Sequence, residues 1–458
     1  MYSMRLFLIL TSLLLSFNLF ASVKDFQEKI STAVNNIPAN VGIYVVSLDK
    51  KDVLYSRNSE QLLNPASTTK LVTSAAALKM LGPDYQFKTK FYVTPKRDLY
   101  IYGEGDPYMV IEDVIDIANM LRKKGLRKVR NIILDDSYFY DNTYPGLGSK
   151  KSKYDFYTSA LSLNFNRAGI RVSPGNKVGE PADVVIDCGE GVDVKVVNKV
   201  ITSSKKGRTE VRLSIQKNSN EFVVSGNVPL LSPQKTLIAT VSNPPLFFSH
   251  ALKSALEAEK SLMTGSIHSG TIPESAKLIY DHQSKPLSEV IKGLNKYSNN
   301  FMAEQLLKSI GAIRFGKPGN TQKGVDVLKE YLEGIDITSD DYVLVNGSGL
   351  TYQNRLSAQQ LVQVLQDMYN NDKLWSYYKE SLSIAGRDGT LRKRKGLTHL
   401  HLMAKTGTLN NVSTIAGTII TDRGENIAFA ILLNGNLNKF NSHDLQDKIA
   451  KIIASFKR

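Results

Sequence analysis

The strand signals of this chain sit at its two ends, and that placement constrains the fold more than any other feature. Near the C-terminus, Leu402–Thr408, Ser413–Thr421 and Ile427–Leu433 read as three strands, with Asp422-Arg423-Gly424 as the turn between the last two. Near the N-terminus, Val41–Ser47 and Val53–Tyr55 read as a strand pair around Leu48-Asp49-Lys50-Lys51-Asp52. Helical patterns lie in the middle. Pro65 opens one of them, expected to run to about Leu81, at a first-turn position where the missing N–H does no harm. Val23–Ile37 is read as another. The expected core is therefore a discontinuous α+β domain whose sheet draws on both chain ends.

A length of 458 residues corresponds to roughly two or three domains. Between them, residues 86–280 have another texture. Strand-like runs (Phe87–Val93, Val129–Leu134, Glu210–Ile215, Glu221–Val224) are broken by Gly, Ser and Lys. The division expected is residues 22–85 plus 281–458 as the discontinuous domain, with 86–280 as an insertion of one or two smaller domains. At the far end Leu445, Ile449, Ile452, Ile453 and Phe456 fall at helical spacing. Such a stripe is expected to cover a sheet rather than lie on a membrane.

Residues 1–21 have the pattern of a signal peptide: Arg5, an apolar run from Leu6 to Phe20, then Ala21-Ser22. The run is short for a membrane span, which needs about 20 apolar residues. Export, to a periplasm or beyond, is the expected destination. Cys188 is the only cysteine, so no intrachain disulfide is available and stability must come from the core. The formal charge of +15 concentrates at Arg122–Arg130, Lys150–Lys153, Lys205–Arg208 and Arg392–Lys395. A basic surface favours polyanions. Export argues against nucleic acid and for cell-wall polymers, or peripheral contact with anionic membrane lipid.

Chemistry enters with Asn64-Pro65-Ala66-Ser67-Thr68-Thr69-Lys70. A helix starting at Pro65 puts Ser67 and Lys70 on one face, three residues apart. It also puts Ser67 at the positive end of the helix dipole. A serine hydroxyl is a poor nucleophile until a base takes its proton. A lysine becomes such a base when burial or a neighbouring cation lowers its pKa. A second element is Tyr297-Ser298-Asn299-Asn300, with a hydroxyl that donates and accepts at Ser298 and an amide at Asn300. A third is Lys405-Thr406-Gly407-Thr408, on a predicted strand. Gly407 allows another backbone to approach, while Lys405 and the threonine hydroxyls can hold a carboxylate. Each element alone is common; the three in this order are not. The six histidines are scattered, and neither His-Glu-x-x-His nor Gly-x-Ser-x-Gly occurs.

This set resembles the penicillin-binding proteins and serine β-lactamases. Four further segments narrow the resemblance: Gly103-Glu104-Gly105-Asp106-Pro107, Ser159–Asn164, Asn346-Gly347-Ser348-Gly349-Leu350 and Ala385–Leu391. They look like signatures of the D-Ala-D-Ala carboxypeptidase/endopeptidase family, peptidase family S13, the class C low-molecular-weight penicillin-binding proteins. The resemblance spans essentially the whole chain after residue 21, and the insertion is itself typical of the family. It implies a penicillin-binding, β-lactamase-like fold and D,D-peptidase activity on peptidoglycan stem peptides. It further implies acylation by β-lactam antibiotics, with no cofactor and no metal. By residue, it implies that Ser67 is acylated with Lys70 as its base, and that Ser298 relays a proton to the leaving amine. Asn300 would orient the substrate amide and Lys70. Lys405, Thr406 and Thr408 would engage the substrate carboxylate, and the backbone N–H groups of Ser67 and Thr408 would form the oxyanion hole.

Three positions depart from the family pattern near its stem-peptide pocket. Asn346 stands where Asp is usual, Tyr352 where Arg is frequent, and Asn410 where Gln is frequent. Two other functions share part of the pattern. A serine β-lactamase is one, since Tyr297-Ser298-Asn299 also fits a Tyr-x-Asn frame; the long insertion and the missing Glu-x-x-Leu-Asn segment argue against it. A non-catalytic cell-wall-binding module is the other, and three complete motifs argue against that.

Overall fold

The computed structural model describes residues 22–35, 37, 39–140, 156–187, 195–204, 207–215, 220–435 and 439–458. The expected signal segment 1–21, the Lys150–Lys153 cluster, Lys205 and Cys188 lie outside these residues. Two compact units result. One comprises the described residues up to Asp84 with Leu287–Asn300 and Val325–Arg458; the other comprises Tyr85–Pro286 and Phe301–Gly324.

In the first unit a six-stranded sheet is built from both chain ends. Its order is Ser383–Ile384, His401–Leu409, Val412–Ile420, Asn426–Asn434, Asn40–Ser47, Val53–Arg57. Every neighbouring pair is antiparallel, and the N-terminal Asn40–Ser47 pairs residue for residue with Asn434–Ile427. Alternation along the strands decides the two faces. Leu402, Ala404, Ile427, Phe429, Ile431 and Leu433 point into one cluster with Phe26 and Ile30 of helix 22–33 and Ile449 and Ile453 of helix Lys439–Ala454. The terminal apolar stripe is thus a sheet cover. The opposite face receives the Ala358–Tyr369 helix, against which the Lys70–Leu81 helix packs in turn. Ser357 caps the latter by accepting from Gln360 N at 3.1 Å, while Gln360 Oε1 accepts from Ser357 N at 2.9 Å.

The second unit has its own core and its own sheets. Its largest sheet among the described residues runs Ile267–Ser269, Ile132–Asp135, Leu99–Gly103, Lys88–Val93, Lys277–Gln283. Glu210–Ile215 pairs with Phe222–Pro229, which pairs with Val196–Ser203, so these strands do not extend the sheet that carries Lys405. The division differs from the one expected at 86–280, because residues 301–324 group with the inserted segment. Side chains explain it. Gln305 Nε2 donates to Ser159 O at 2.5 Å, Lys308 Nζ to Thr158 Oγ1 at 2.8 Å, and Ser309 Oγ to Gly105 O at 3.3 Å. Nothing in the helical periodicity of Asn300–Phe315 reveals that its polar side chains fasten to this segment.

Phe429 has no solvent exposure and lies mid-strand between two other strands. Truncation there removes contacts on the sheet face that both terminal helices cover. Phe429→Ala is expected to lower unfolding stability by about 3–5 kcal/mol, read as a lower urea midpoint at unchanged slope.

Candidate active site

The first motif does not begin as an α-helix. Ala66–Thr69 form a 3-10 turn, and the α-helix starts at Lys70. Local polar side chains draw the turn tight. Asn64 Oδ1 accepts from Ala66 N at 2.8 Å, Thr68 Oγ1 donates to Pro65 O at 2.6 Å, and Thr69 Oγ1 donates to Ala66 O at 2.9 Å. Ala66 is held at φ +46°, a conformation a side chain tolerates only when its surroundings impose it. Gly349 is part of that surrounding, because a Cβ there would lie 1.8 Å from Ala66 O.

Lys70 is fully buried and its amine meets three acceptors: Ser67 Oγ at 3.1 Å, Asn300 Oδ1 at 2.8 Å and Ser348 O at 2.5 Å. Ser67 itself remains partly accessible. A second pair stands beside the first. Lys405, also fully buried, donates to Ser298 Oγ at 2.9 Å and to Thr406 O at 2.7 Å. Burial pushes the Lys405 amine well below the ordinary lysine range, and the Lys70 charge adds to that. Ser298, like Ala66, sits at positive φ, +54°.

Gly407 brings the strand against the Ser67 turn. A Cβ at this position would lie 2.8 Å from both Pro65 O and Ser67 N, and 2.3 Å from Thr414 Oγ1. Thr414 Oγ1 also donates to Pro65 O at 2.9 Å, fastening the next strand to the same turn. On its other side the His401–Leu409 strand is paired only at Met403 and Ala404. Its edge from Lys405 to Leu409 is without a pairing strand there among the described residues, and Thr408 is exposed on it. The eight expected site residues therefore lie in one unit, on the Ser67–Lys70 turn, the Ser298–Asn300 turn and one strand.

Some of the site escaped the motifs. The Asn346–Leu350 segment lies beneath the turn: Thr73 Oγ1 donates to Gly347 O at 2.8 Å, and Ser348 supplies the carbonyl for Lys70. A backbone acceptor carries no residue signature. Asn346, expected near a pocket, is fully buried instead. Its Oδ1 accepts from Gly349 N at 3.0 Å and from Asn354 Nδ2 at 3.1 Å, so it shapes the turn. Tyr352 and Asn410 are exposed.

The model of the "D-Ala-D-Ala carboxypeptidase 3 (S13) family" matches residues 26–456. The chain belongs to this family. A D-alanyl-D-alanine carboxypeptidase of Actinomadura sp. (strain R39) is 32% identical over 86% of this chain and 78% of its own length. Among solved structures, penicillin binding protein 4 (dacB) of Haemophilus influenzae superposes with a TM-score of 0.78 at 23% identity. That match covers 95% of this chain and 99% of the other. The same Haemophilus protein complexed with a β-lactam gives a TM-score of 0.73 over the same shares, again at 23% identity. These likenesses show the penicillin-binding-protein fold.

Two buried amines make the site costly to the free protein. Lys405 has a folded-state pKa below its unfolded value of about 10.4. Between those values the unfolded chain binds the proton and the folded chain does not, so wild-type stability rises with pH across that window. Lys405→Met is therefore expected to raise stability at pH 7, an advantage that shrinks toward pH ~10. Thermal melts of both proteins from pH 7 to 10 check the sign. A variant less stable than wild type at pH 7 contradicts it.

Proposed function

We propose that this protein is a serine D,D-peptidase acting on peptidoglycan stem peptides through an acyl-enzyme on Ser67. The observation that carries the reading is the convergence of the Lys70 amine, Ser67 Oγ and Asn300 Oδ1, with the Lys405–Ser298 pair in the same unit. Membership of the S13 family and the likeness to a D-alanyl-D-alanine carboxypeptidase support it.

In this reading Lys70 takes the Ser67 proton, and Oγ forms a bond to the carbonyl carbon of the penultimate D-Ala. Only an amine without its extra proton can accept the one that Ser67 gives up. The N–H groups of Ser67 and Thr408 receive the oxyanion, each such donor worth about 3–4 kcal/mol. Gly407 makes this geometry accessible, because only a residue without Cβ lets the strand reach Ser67 N. Collapse of the intermediate breaks the C–N bond, and Ser298, bonded to Lys405, passes a proton to the departing amine. Lys405, Thr406 and Thr408 hold the substrate carboxylate along the open strand edge. Water then attacks the ester and restores Ser67. A β-lactam offers the same carbonyl in a ring and acylates the same oxygen. The scheme uses side chains, backbone and water, with no cofactor.

We extend the reading to an exported enzyme, on the strength of Arg5 and the apolar run Leu6–Phe20. A basic surface suits anionic wall polymers and peripheral contact with anionic lipid.

Digestion of purified peptidoglycan followed by mass spectrometry tests the reading. Loss of terminal D-Ala identifies carboxypeptidase action, and conversion of cross-linked dimers to monomers identifies endopeptidase action. Ser67→Ala should yield neither product while keeping the wild-type circular dichroism spectrum. Unchanged muropeptides after incubation with the wild-type protein would overturn the proposal.

A further inference from the structure

A short line of hydroxyls runs from the third motif back to the second, through Thr390 of the Ala385–Leu391 segment and Ser383 just before it. Thr406 Oγ1 donates to Thr390 Oγ1 at 2.7 Å. Thr390 Oγ1 lies 3.3 Å from Ser383 Oγ. Ser383 is fully buried and donates to Lys296 O at 3.3 Å. Lys296 closes the helix that leads into Tyr297-Ser298. The Gly389–Leu391 turn that carries Thr390 has no freedom to drift. A Cβ at Gly389 would lie 2.3 Å from Ser383 Oγ and 2.6 Å from Lys296 O. Asp388 pairs with Lys296, accepts from Ile384 N at 2.7 Å, and pins the turn from its other end. Thr390 N donates to Ser383 Oγ at 3.1 Å.

Each hydroxyl in this line has one proton and two lone pairs. As found, the Thr406 proton points inward at Thr390, so Thr406 turns lone pairs toward the strand edge. An anion arriving at that edge meets the wrong end of the hydroxyl dipole. Ser383 is fixed in its donation to a carbonyl, but Thr390 is not. Its hydroxyl can turn from Ser383 to Thr406, whose own proton is then released toward the anion. The reversal turns two hydroxyl hydrogens and asks for a small rotation of the Thr390 side chain, because the bond as it stands has Thr406 as its donor.

We propose that Thr390 is a positioning residue for substrate carboxylate. Its hydroxyl donates to Thr406 Oγ1 when an anion binds, turning Thr406 from an inward donor into a donor to the carboxylate. This rests on the serine D,D-peptidase reading above and adds a specificity element to the same site. A purely structural Thr390 would affect free-acid and amidated substrates alike; a hydroxyl that serves the carboxylate distinguishes them.

The test compares Thr390→Val and Thr390→Ser with wild type on a D-Ala-D-Ala peptide and on its C-terminal amide. Charge-assisted hydrogen bonds of this kind carry about ten- to hundredfold in binding, of which an indirect partner forfeits roughly five- to tenfold. Thr390→Val is thus expected to raise KM for the free acid by about five- to tenfold with little change in kcat, and to leave the amide unaffected. Thr390→Ser, which keeps the hydroxyl, restores the free-acid KM. Equal losses on acid and amide, an unrescued Thr390→Ser, or a wild-type KM in Thr390→Val each overturn the proposal. Covalent penicillin labelling of all three proteins separates the two levels. Labelling with an unselective Thr390 sinks this inference alone, whereas a wild-type protein that takes no label sinks the acyl-enzyme reading beneath it.

Discussion

Two lysine amines buried without solvent contact in one folded unit are the constraint on which the site depends. Water stabilises an ammonium far better than a protein interior does, so each amine must be supplied with acceptors or lose its proton. Lys70 is given a hydroxyl, an amide oxygen and a backbone carbonyl; Lys405 is given a hydroxyl and a backbone carbonyl. The mutual effect of the two charges is to favour a state in which one is absent. A serine beside each amine then has a base or a proton relay within one hydrogen bond. Stability is spent on this arrangement, as is common where function requires charges in unfavourable places.

Holding that arrangement requires unusually close backbone approaches. Gly407 lets the strand reach Ser67 N, and Gly349 at φ +73° lets the buried Asn346–Leu350 turn reach Ala66 O. The strained Ala66 sits between these two contacts. Buried asparagines complete the frame: Asn64 bonds Ala66 N and Thr351 O, and Asn354 bonds Val345 N and Asn346 Oδ1. A sheet assembled from both chain ends makes this possible, since the strand bearing Lys405 and the turn bearing Ser67 are more than three hundred residues apart. The insertion can then fold on its own core without interrupting the catalytic elements.

Much of this was legible in the sequence, for identifiable reasons. Apolar alternation at both ends located five of the six strands of the sheet within a residue or two, because alternation follows from strand geometry; the two-residue Ser383–Ile384 strand is too short to show it. Ser67, Lys70, Ser298, Asn300 and Lys405 were legible because side-chain chemistry at fixed spacing is visible in letters. What stayed hidden works through backbone or through contacts remote in sequence. The Ser348 carbonyl has no signature, and the 3-10 turn at Ala66–Thr69 reads like the start of an α-helix until the Asn64, Thr68 and Thr69 side-chain bonds are seen. The bonds by which Asn346 shapes the turn beneath Ser67, to Gly349 N and Asn354 Nδ2, have no signature in the letters either. Thr390 stands sixteen residues from Thr406 in the chain, and their direct hydroxyl contact follows from the Ser383–Ile384 strand pairing beside the Lys405 strand.

In this site Ser67, and no other hydroxyl in the unit, is the group expected to become covalently bound. Mapping the adduct on the intact protein after exposure to a penicillin tests it most directly. The account predicts a single mass shift equal to the intact antibiotic, located on the tryptic peptide that contains Ser67. A shift on the peptide containing Ser298, or an adduct that persists in Ser67→Ala, would contradict it.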